Sequence, residues 1–475
     1  MLIGIDVGTT AVKAGLFDHH GTAIKTFGQR YPTQRPALGH AEQNPDDWMQ
    51  LVLAALTQLA SINVTALGLC SQVNTHVFVD EYGRALMPAM TWQDGRCAEV
   101  AAGLDAQISV AEKLQWWGAP LPIDASHVLA RMAYVAKHHP DVWKKTRWVM
   151  APKDYCIFHL TGAVATDPMT AFGIIDSQLE LVQRLLDLVP DAAKRLPPLA
   201  SFTTIIGHVR SGLPQAGVPV VTGAMDAWSG LLGAGVSEEG QGLYLSGTSE
   251  ILGIVSSRKA PVPGVITFPK CQGIVLHAGP TQSGGASVEW LSRLLDKSPH
   301  ELSQLAASVD TSKPLPMFLP HLEGERAPLW DSHSRASLSG LSSVMGPAET
   351  ARAVLEGVGY SARLVIESLE ASACIRPDAF NHSGGGAVSD IWCQIRADIL
   401  GRPIRRMMIK DAGVLGAALM AGAGIGVFAS LNAATKSFVA VDRVFEPDPK
   451  QRERHEHGFE KYQMLYRQLQ PWNLF

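Results

Sequence analysis

No Cys-x-x-Cys pair occurs in the sequence, and its six cysteines (Cys70, Cys97, Cys156, Cys271, Cys374 and Cys393) are scattered along it. That excludes a disulfide scaffold and a zinc ribbon, and fits a reduced interior. Neither sign of charge dominates: 40 Lys+Arg against 44 Asp+Glu give a formal net charge of −4. Such a balance offers no field for gripping a polyanion, so nucleic acid is not an expected partner. No Gly-Lys dipeptide is present, hence no Walker A loop, and HExxH, GxSxG and HRD-type motifs are absent as well. The one tempting uncharged stretch, residues 412–434, is mostly Gly and Ala, includes Asn432, and has too few large apolar side chains for a membrane span. It reads as a pair of small-residue helices packed inside a globular domain. At the start, Asp6 arrives before a signal-peptide hydrophobic region could form, so a cytoplasmic location is expected.

What is present is a large apolar fraction, 46% of 475 residues, enough for more than one self-sufficient core. Residues 2–5, 11–17 and 22–27 alternate as strands, with Gly8-Thr9-Thr10 as the first hairpin turn, so the chain opens on a β-meander. Asp46 and Asp47 begin an amphipathic helix through Trp48, Leu51, Val52, Ala55 and Leu56. A second meander follows half-way along: residues 242–245 and 251–255 flank Ser246-Gly247-Thr248-Ser249. Two hydroxyl-bearing glycine turns in matching strand–turn–strand settings point to an internal duplication. The polar segment 236–240 is the natural joint, giving domains 1–238 and 239–475.

Small-residue turns beside hydroxyls remain as the chemistry-bearing feature. Gly8-Thr9-Thr10 can present backbone N–H groups and two hydroxyls, with Lys13 close behind and Asp6 at the end of the preceding buried strand. A Mg²⁺-bearing phosphate site and an ordinary turn with an exposed Asp are equally compatible with that piece alone. Gly384-Gly385-Gly386 enters a helix containing Asp390, where a flat ring could lie against backbone. Asp226 ends a strand and opens a helix, as a general base or as a plain N-cap. Trp92, Asp94 and Arg96 alternate, which in extended backbone puts an aromatic plate and two ions on one face, suited to a polyhydroxylated ligand.

In this order the segments resemble the FGGY family of carbohydrate kinases, within the actin–hexokinase–Hsp70 ATPase superfamily. The resemblance is carried by GIDVGTTAVKAGLFD at the start, Trp92 to Arg96, APKDYCIFHLTG from Ala151, ATDPMTAFGIID from Ala165 and GAMDAWSGLLGAG from Gly223. It continues through YLSGTSE from Tyr244, GERAPLWD from Gly324, AVLEGVGYSAR from Ala353 and GGGAVSDIWCQIRADILGRPI from Gly384. It implies an α/β fold of two actin-like (ribonuclease H-like) domains facing across a cleft, each a mixed sheet with flanking helices. The first domain would bind sugar and the second the nucleotide.

By the same resemblance, Asp226 is the catalytic base and Asp6 helps hold Mg²⁺, usually through water. Thr9, Thr10 and Lys13 match the first phosphate loop and Gly247 with Thr248 the second. Gly285 and Glu289 match the shaping of the nucleotide site, and Gly385, Gly386 and Asp390 the adenosine segment. Gln72, Val73 and Asn74 align with a sugar-contacting segment that in xylulokinases typically reads Gln-Met-His; Trp92, Asp94 and Arg96 join them in the reading of the sugar site. The chain is most similar to xylulokinases, and next to other pentulose and gluconate kinases. ATP with Mg²⁺ and a small-molecule sugar are the implied cofactor and partner, and dimers occur in the family. The alternatives are a kinase of another polyol or sugar acid (gluconate, erythritol, glycerol), an actin-like ATPase acting on a protein partner, or a sugar-binding regulator with lapsed catalysis.

Overall fold

The opening meander forms as its alternation predicts. In a computed structural model that describes residues 1–474, Leu2–Val7 pairs antiparallel with Ala11–Phe17, which pairs antiparallel with Ala23–Arg30. Ala66–Ser71 then adds parallel to the first strand, Pro219–Val221 adds parallel to that, and Ile205–His208 closes the edge antiparallel. The second sheet repeats the same succession of pairings. Leu276–Pro280, Glu250–Val255 and Gly242–Ser246 are antiparallel neighbours, Phe380–Gly384 and Ile404–Met407 follow in parallel, and Val441–Phe445 closes antiparallel. The duplication expected from two turns therefore extends to whole sheets.

Two structural units divide the chain. One comprises residues 1–237, 268–273 and 411–439, the other 238–267, 274–410 and 440 onward. The main segment of the first unit ends at Ser237. The 411–439 segment departs from the two-domain division read from the sequence: it returns to the first unit, because its small-residue helix is built to lie on the first sheet. Among the described residues no helix is long and apolar enough to cross a membrane.

Strand periodicity assigns the two faces of the first sheet. Ile3, Ile5, Val7, Leu67 and Leu69 point into a core shared with Trp48, Val52, Ala55 and Leu56 of the Pro45–Gln58 helix. That helix is capped by Asn44, whose side chain accepts from the N–H of Asp46. The alternate residues, Gly4, Asp6, Gly68 and Cys70, face the buried Ala412–Gly424 helix. Contact there is backbone on backbone. A Cβ at Gly4 would lie 1.9 Å from the carbonyl oxygen of Val414, and one at Gly68 2.1 Å from that of Ala417. On its other side the helix crosses Asp226–Gly233, where a Cβ at Gly416 would meet the Ser229 carbonyl oxygen at 1.8 Å.

Because backbone cannot retreat as a side chain can, Gly68→Ala is expected to destabilise the protein by about 3 kcal/mol or more. Gly28→Ala, in a strand position whose Cβ would meet nothing within 4 Å, should leave the melting temperature unchanged. Differential scanning calorimetry of the two variants compares the effects directly.

Candidate functional site

Three parallel strand ends come together in the first unit. Asp6 lies opposite Cys70, Val7 opposite Ser71, and Met225 of the short strand Ala224–Met225 opposite Ser71 on the other side. Gly8, Gln72 and Asp226 are thus the next residues beyond three adjacent strands, the usual location for ligands in sheets of this kind. Asp226 is half-buried at the first position of the Asp226–Gly233 helix, with Oδ1 accepting from the N–H of Ala227 at 2.7 Å. Met225 is the residue at the cap, and no side chain caps this helix.

Asp6 is sterically confined by the Ala412–Gly424 helix: a Cβ at Gly413 would lie 3.1 Å from its Oδ2. Oδ1 is buried and has no hydrogen-bond partner. Burial is the main reason that the carboxyl's pKa rises from 3.8 to about 6, against opposing contributions from Lys13 and the Cys70 thiol. Lys13 is not a free cation behind the Gly8–Thr10 turn. Its ammonium pairs with Asp411 at 2.7 Å, both partly exposed, and so ties the hairpin to the N-terminal end of the same helix.

The Gly8–Thr10 turn is braced from behind. The N–H of Gly8 donates to the Ala11 carbonyl at 3.1 Å, and the Tyr31 hydroxyl donates to the Gly8 carbonyl. Gln43 Nε2 donates to the Thr9 carbonyl at 2.8 Å, and Trp92 Nε1 to Thr9 Oγ1 at 2.9 Å. A hydroxyl that accepts from an indole N–H still has its own proton to donate, while Thr10 is exposed.

The residues read as sugar contacts are brought into one region of this unit, though not in the arrangement expected for Trp92 to Arg96. That segment is a turn and not extended backbone, so the three side chains do not line one face. Asp94, almost wholly buried, accepts from the Ala41 N–H at 2.7 Å and from Arg96 Nε and Nη2 at 2.8 and 2.6 Å. Arg96 also reaches Glu42 at 2.6 Å. Burial raises the Asp94 carboxyl, but the hydrogen bonds from Arg96 and Ala41 outweigh it and hold the group below the usual range. A short-range turn preference defeated the alternation.

Gln72 is buried, with Nε2 donating to Gln43 Oε1 at 2.8 Å and Oε1 left without a partner. Asn74 takes a left-handed backbone (φ 50°), and its Nδ2 donates to Ser126 Oγ at 3.1 Å. Val73 is half-buried between them. Sequence reasoning missed Gln43, which bonds Thr9, Thr33, Gln72 and Trp48 at once. Its only signal was a buried amide just ahead of a helix cap.

In the second unit the Ser246–Ser249 turn meets the start of the Gly285–Leu295 helix. The N–H groups of Gly284 and Ala286 donate to the Thr248 carbonyl, and that of Gly285 to the Gly247 carbonyl, at 2.9–3.0 Å. A Cβ at Gly285 would sit 2.6 Å from the Gly247 oxygen, so glycine is required there for close approach. Gly247 and Thr248 are exposed, as is Glu289 one turn along that helix.

Gly385 and Gly386 form a short 3₁₀ turn after Phe380–Gly384, and a Cβ at Gly386 would lie 2.6 Å from Ser246 Oγ. Both turns are fastened to a buried ion pair that sequence reasoning also missed. Arg396 meets Glu250 at 2.7 Å, donates to Ser246 Oγ at 2.7 Å and to the Gly386 carbonyl at 3.2 Å, and stacks on Trp392. Asp390, by contrast, is exposed and paired with Arg406 at 2.6 Å and with Arg443.

The sequence matches the N-terminal domain of the FGGY family of carbohydrate kinases over residues 1–233 and its C-terminal domain over residues 242–425. It is 31% identical to the xylulose kinase of Klebsiella pneumoniae over 442 residues, 89% of each chain. Among solved structures it is similar to the ligand-bound xylulose kinase from Lactobacillus acidophilus (TM-score 0.88, 26% identity, 98% of both chains). It is comparably similar to the gluconate kinase from the same organism, at TM-score 0.87 and 26% identity over 98% of this chain and 97% of that one.

A carboxylate raised by burial makes folding less favourable as it ionises: the contribution of Asp6 to stability is most favourable below about pH 4 and is lost as pH rises through about 6. Asp6→Asn in metal-free buffer is therefore expected to raise the melting temperature at pH 8 and to leave it unchanged at pH 4. A thermal-shift series across that range checks the sign.

Proposed function

The chain belongs to the FGGY family of carbohydrate kinases, phosphotransferases with an alcohol acceptor, and within it we propose that the chain transfers the γ-phosphoryl group of ATP to a terminal hydroxyl of a pentulose. The observation that carries this reading is the convergence of Asp6, Gln72 and Asp226 at neighbouring parallel strand ends, in a chain whose whole length resembles xylulose kinases. Asp226 is the general base, taking the proton of the attacking hydroxyl. Catalysis of phosphoryl transfer is otherwise positioning and charge stabilisation, with little covalent chemistry for the protein to perform.

The residues present fit a magnesium ion. Among the described residues no group of three or more His, Cys, Asp and Glu side chains gathers, and Mg²⁺ needs only one or two carboxylates when waters and phosphates complete its shell. Asp6, with a buried oxygen that lacks a partner, would hold it, directly or through water. When bound it would neutralise charge on the phosphates. Thr9 and Thr10 would offer hydroxyl donors to phosphate, and in the second unit Thr248 would offer another beside the exposed, side-chain-free Gly247. Gly285 and Glu289 shape the nucleotide site, and Gly385, Gly386 and Asp390 flank the adenosine. Lys13, already paired with Asp411, has two further N–H donors to offer phosphate.

Gln72, Val73, Asn74 and Trp92 make up the sugar side. Arg96 is buried with its charge already offset by Asp94 and Glu42, which makes it a poor partner for a sugar carboxylate and favours a neutral ketose over gluconate. Asp226→Asn should lower kcat by about three orders of magnitude while leaving sugar affinity within a few-fold. An ADP-release assay over D-xylulose, other ketopentoses, glycerol, erythritol and gluconate, with sugar binding by calorimetry, tests both points. ATP turnover that no sugar stimulates would favour an ATPase acting on a protein partner.

A further inference from the structure

The first unit holds a buried cation that the phosphoryl-transfer chemistry does not use. Arg131, in the Val128–His138 helix, is completely buried, yet among the described residues it forms no ion pair with a carboxylate. Its charge is met by carbonyl dipoles. Nη1 donates to the Asn74 carbonyl at 2.6 Å and to the Met90 carbonyl, Nη2 to the Thr91 carbonyl, and Nε to the Ala125 carbonyl at 3.4 Å. Nη1 also lies 3.2 Å from His76 Nδ1. Burial holds that imidazole well below its ordinary pKa, with Arg131 adding to the effect, so it is neutral and accepts at Nδ1. Burial likewise lowers the Arg131 guanidinium to about 10, which leaves it charged at neutral pH.

These acceptors belong to three separate loops. One carries Asn74 in its left-handed conformation, the second passes directly into Trp92, and the third carries Ser126, whose hydroxyl takes the Asn74 amide and donates to Asp124 at 2.7 Å. The first two loops are further joined through the mutual hydrogen bonds of His76 and Met90 and through the Trp92 N–H on Thr75 Oγ1 at 3.1 Å. A planar fork with five donors can serve several carbonyls in fixed directions; an ammonium on a flexible stem cannot. Leaving buried carbonyls without donors carries the desolvation penalty of each.

We infer that Arg131 is the positioning residue of the sugar site, assembling three loops so that Asn74 and Trp92 are presented to the ligand in one geometry. This rests on the sugar-site reading above, and the test separates the two. Steady-state kinetics with D-xylulose and MgATP would be run on wild type, Arg131→Lys and Asn74→Ala, with melting temperatures for each.

Arg131→Lys keeps the charge but not the fork. Its KM for D-xylulose should rise about tenfold, with KM for ATP and kcat at saturating sugar within twofold of wild type. An unchanged sugar KM, or a loss of kcat and both KM values that tracks a fallen melting temperature, would overturn the inference. If Arg131→Lys does not fold, His76→Leu removes one acceptor from the fork; a two- to threefold rise in sugar KM alone supports the inference and no change refutes it. Asn74→Ala reports on the site itself. A raised sugar KM there with none in Arg131→Lys sinks only the positioning role, whereas no change in Asn74→Ala sinks the site.

Discussion

The first unit depends on one helix lying so close to a sheet that backbone meets backbone at the sheet's glycines. Gly4 and Gly68 on neighbouring strands, and Gly233 against Ala412 and Gly416 against Ser229 at the helix crossing, remove the side chains that would hold the Ala412–Gly424 helix away. The consequence is chemical as well as structural. Strand periodicity places Asp6 two residues after Gly4 on the same face, so the approach that admits the helix also presses Gly413 against the carboxylate and desolvates it. The hydroxyl of Ser229 and the thiol of Cys70 both donate to the Gly413 carbonyl, which fixes the helix end in rotation. Lys13 and Asp411 then fasten the first hairpin to that end. A Val or Leu at the glycine positions would widen the layer by several ångströms and release all of these groups together.

The same sheet plan is used twice, but the loops beyond it are secured by different means. In the second unit a neutral buried pair, Arg396 with Glu250, holds Ser246 and Gly386. Such pairs add little net stability, because desolvating two ions offsets most of their attraction. Their value is directional: removing either partner strands the other, so the two glycine turns have one low-energy arrangement. In the first unit an amide, Gln43, and an unpaired cation, Arg131, do the corresponding work. Duplication preserved the strands, where alternation is enforced by the core, and not the polar fasteners, which depend on what each half must bind.

This difference explains what could be read from the sequence. The meanders, the two glycine–threonine turns, the helix beginning at Asp46 and the small-residue helices of 412–434 were legible because each is written in short-range pattern: period two, period 3.6, or turn chemistry. Gly8, Gln72 and Asp226 lie at strand ends for the same reason. The fasteners were not legible, since Arg131 meets the Asn74 carbonyl 57 residues away and Arg396 meets Glu250 across 146 residues. Nothing local distinguishes a buried arginine from a surface one. The Trp92–Arg96 alternation failed at the opposite scale: Asp94 accepts the N–H of Arg96 two residues on, an Asx-type turn that competes with extended backbone. The return of residues 411–439 to the first unit was hidden too, because a small-residue helix records that it packs closely but not against which sheet.

A neutral sugar, as proposed above, would make such fasteners necessary. It brings no charge, so affinity must come from hydrogen bonds of about 0.5–1.5 kcal/mol each, a gain that the entropy of ordering a loose loop would cancel. The loops must therefore be ordered before the ligand arrives. Hydrophobic anchoring is unavailable to them, because their residues have to be polar on the ligand side and their carbonyls must be satisfied on the other. A buried carboxylate in that position would present surplus acceptors and compete for the sugar's hydroxyls. A guanidinium met by carbonyls and a neutral imidazole gathers the acceptors inward and adds none of its own. That leaves the Asn74 and Trp92 side chains, held by Ser126 and Thr9 respectively, as groups whose orientation is settled by the protein and not by the substrate.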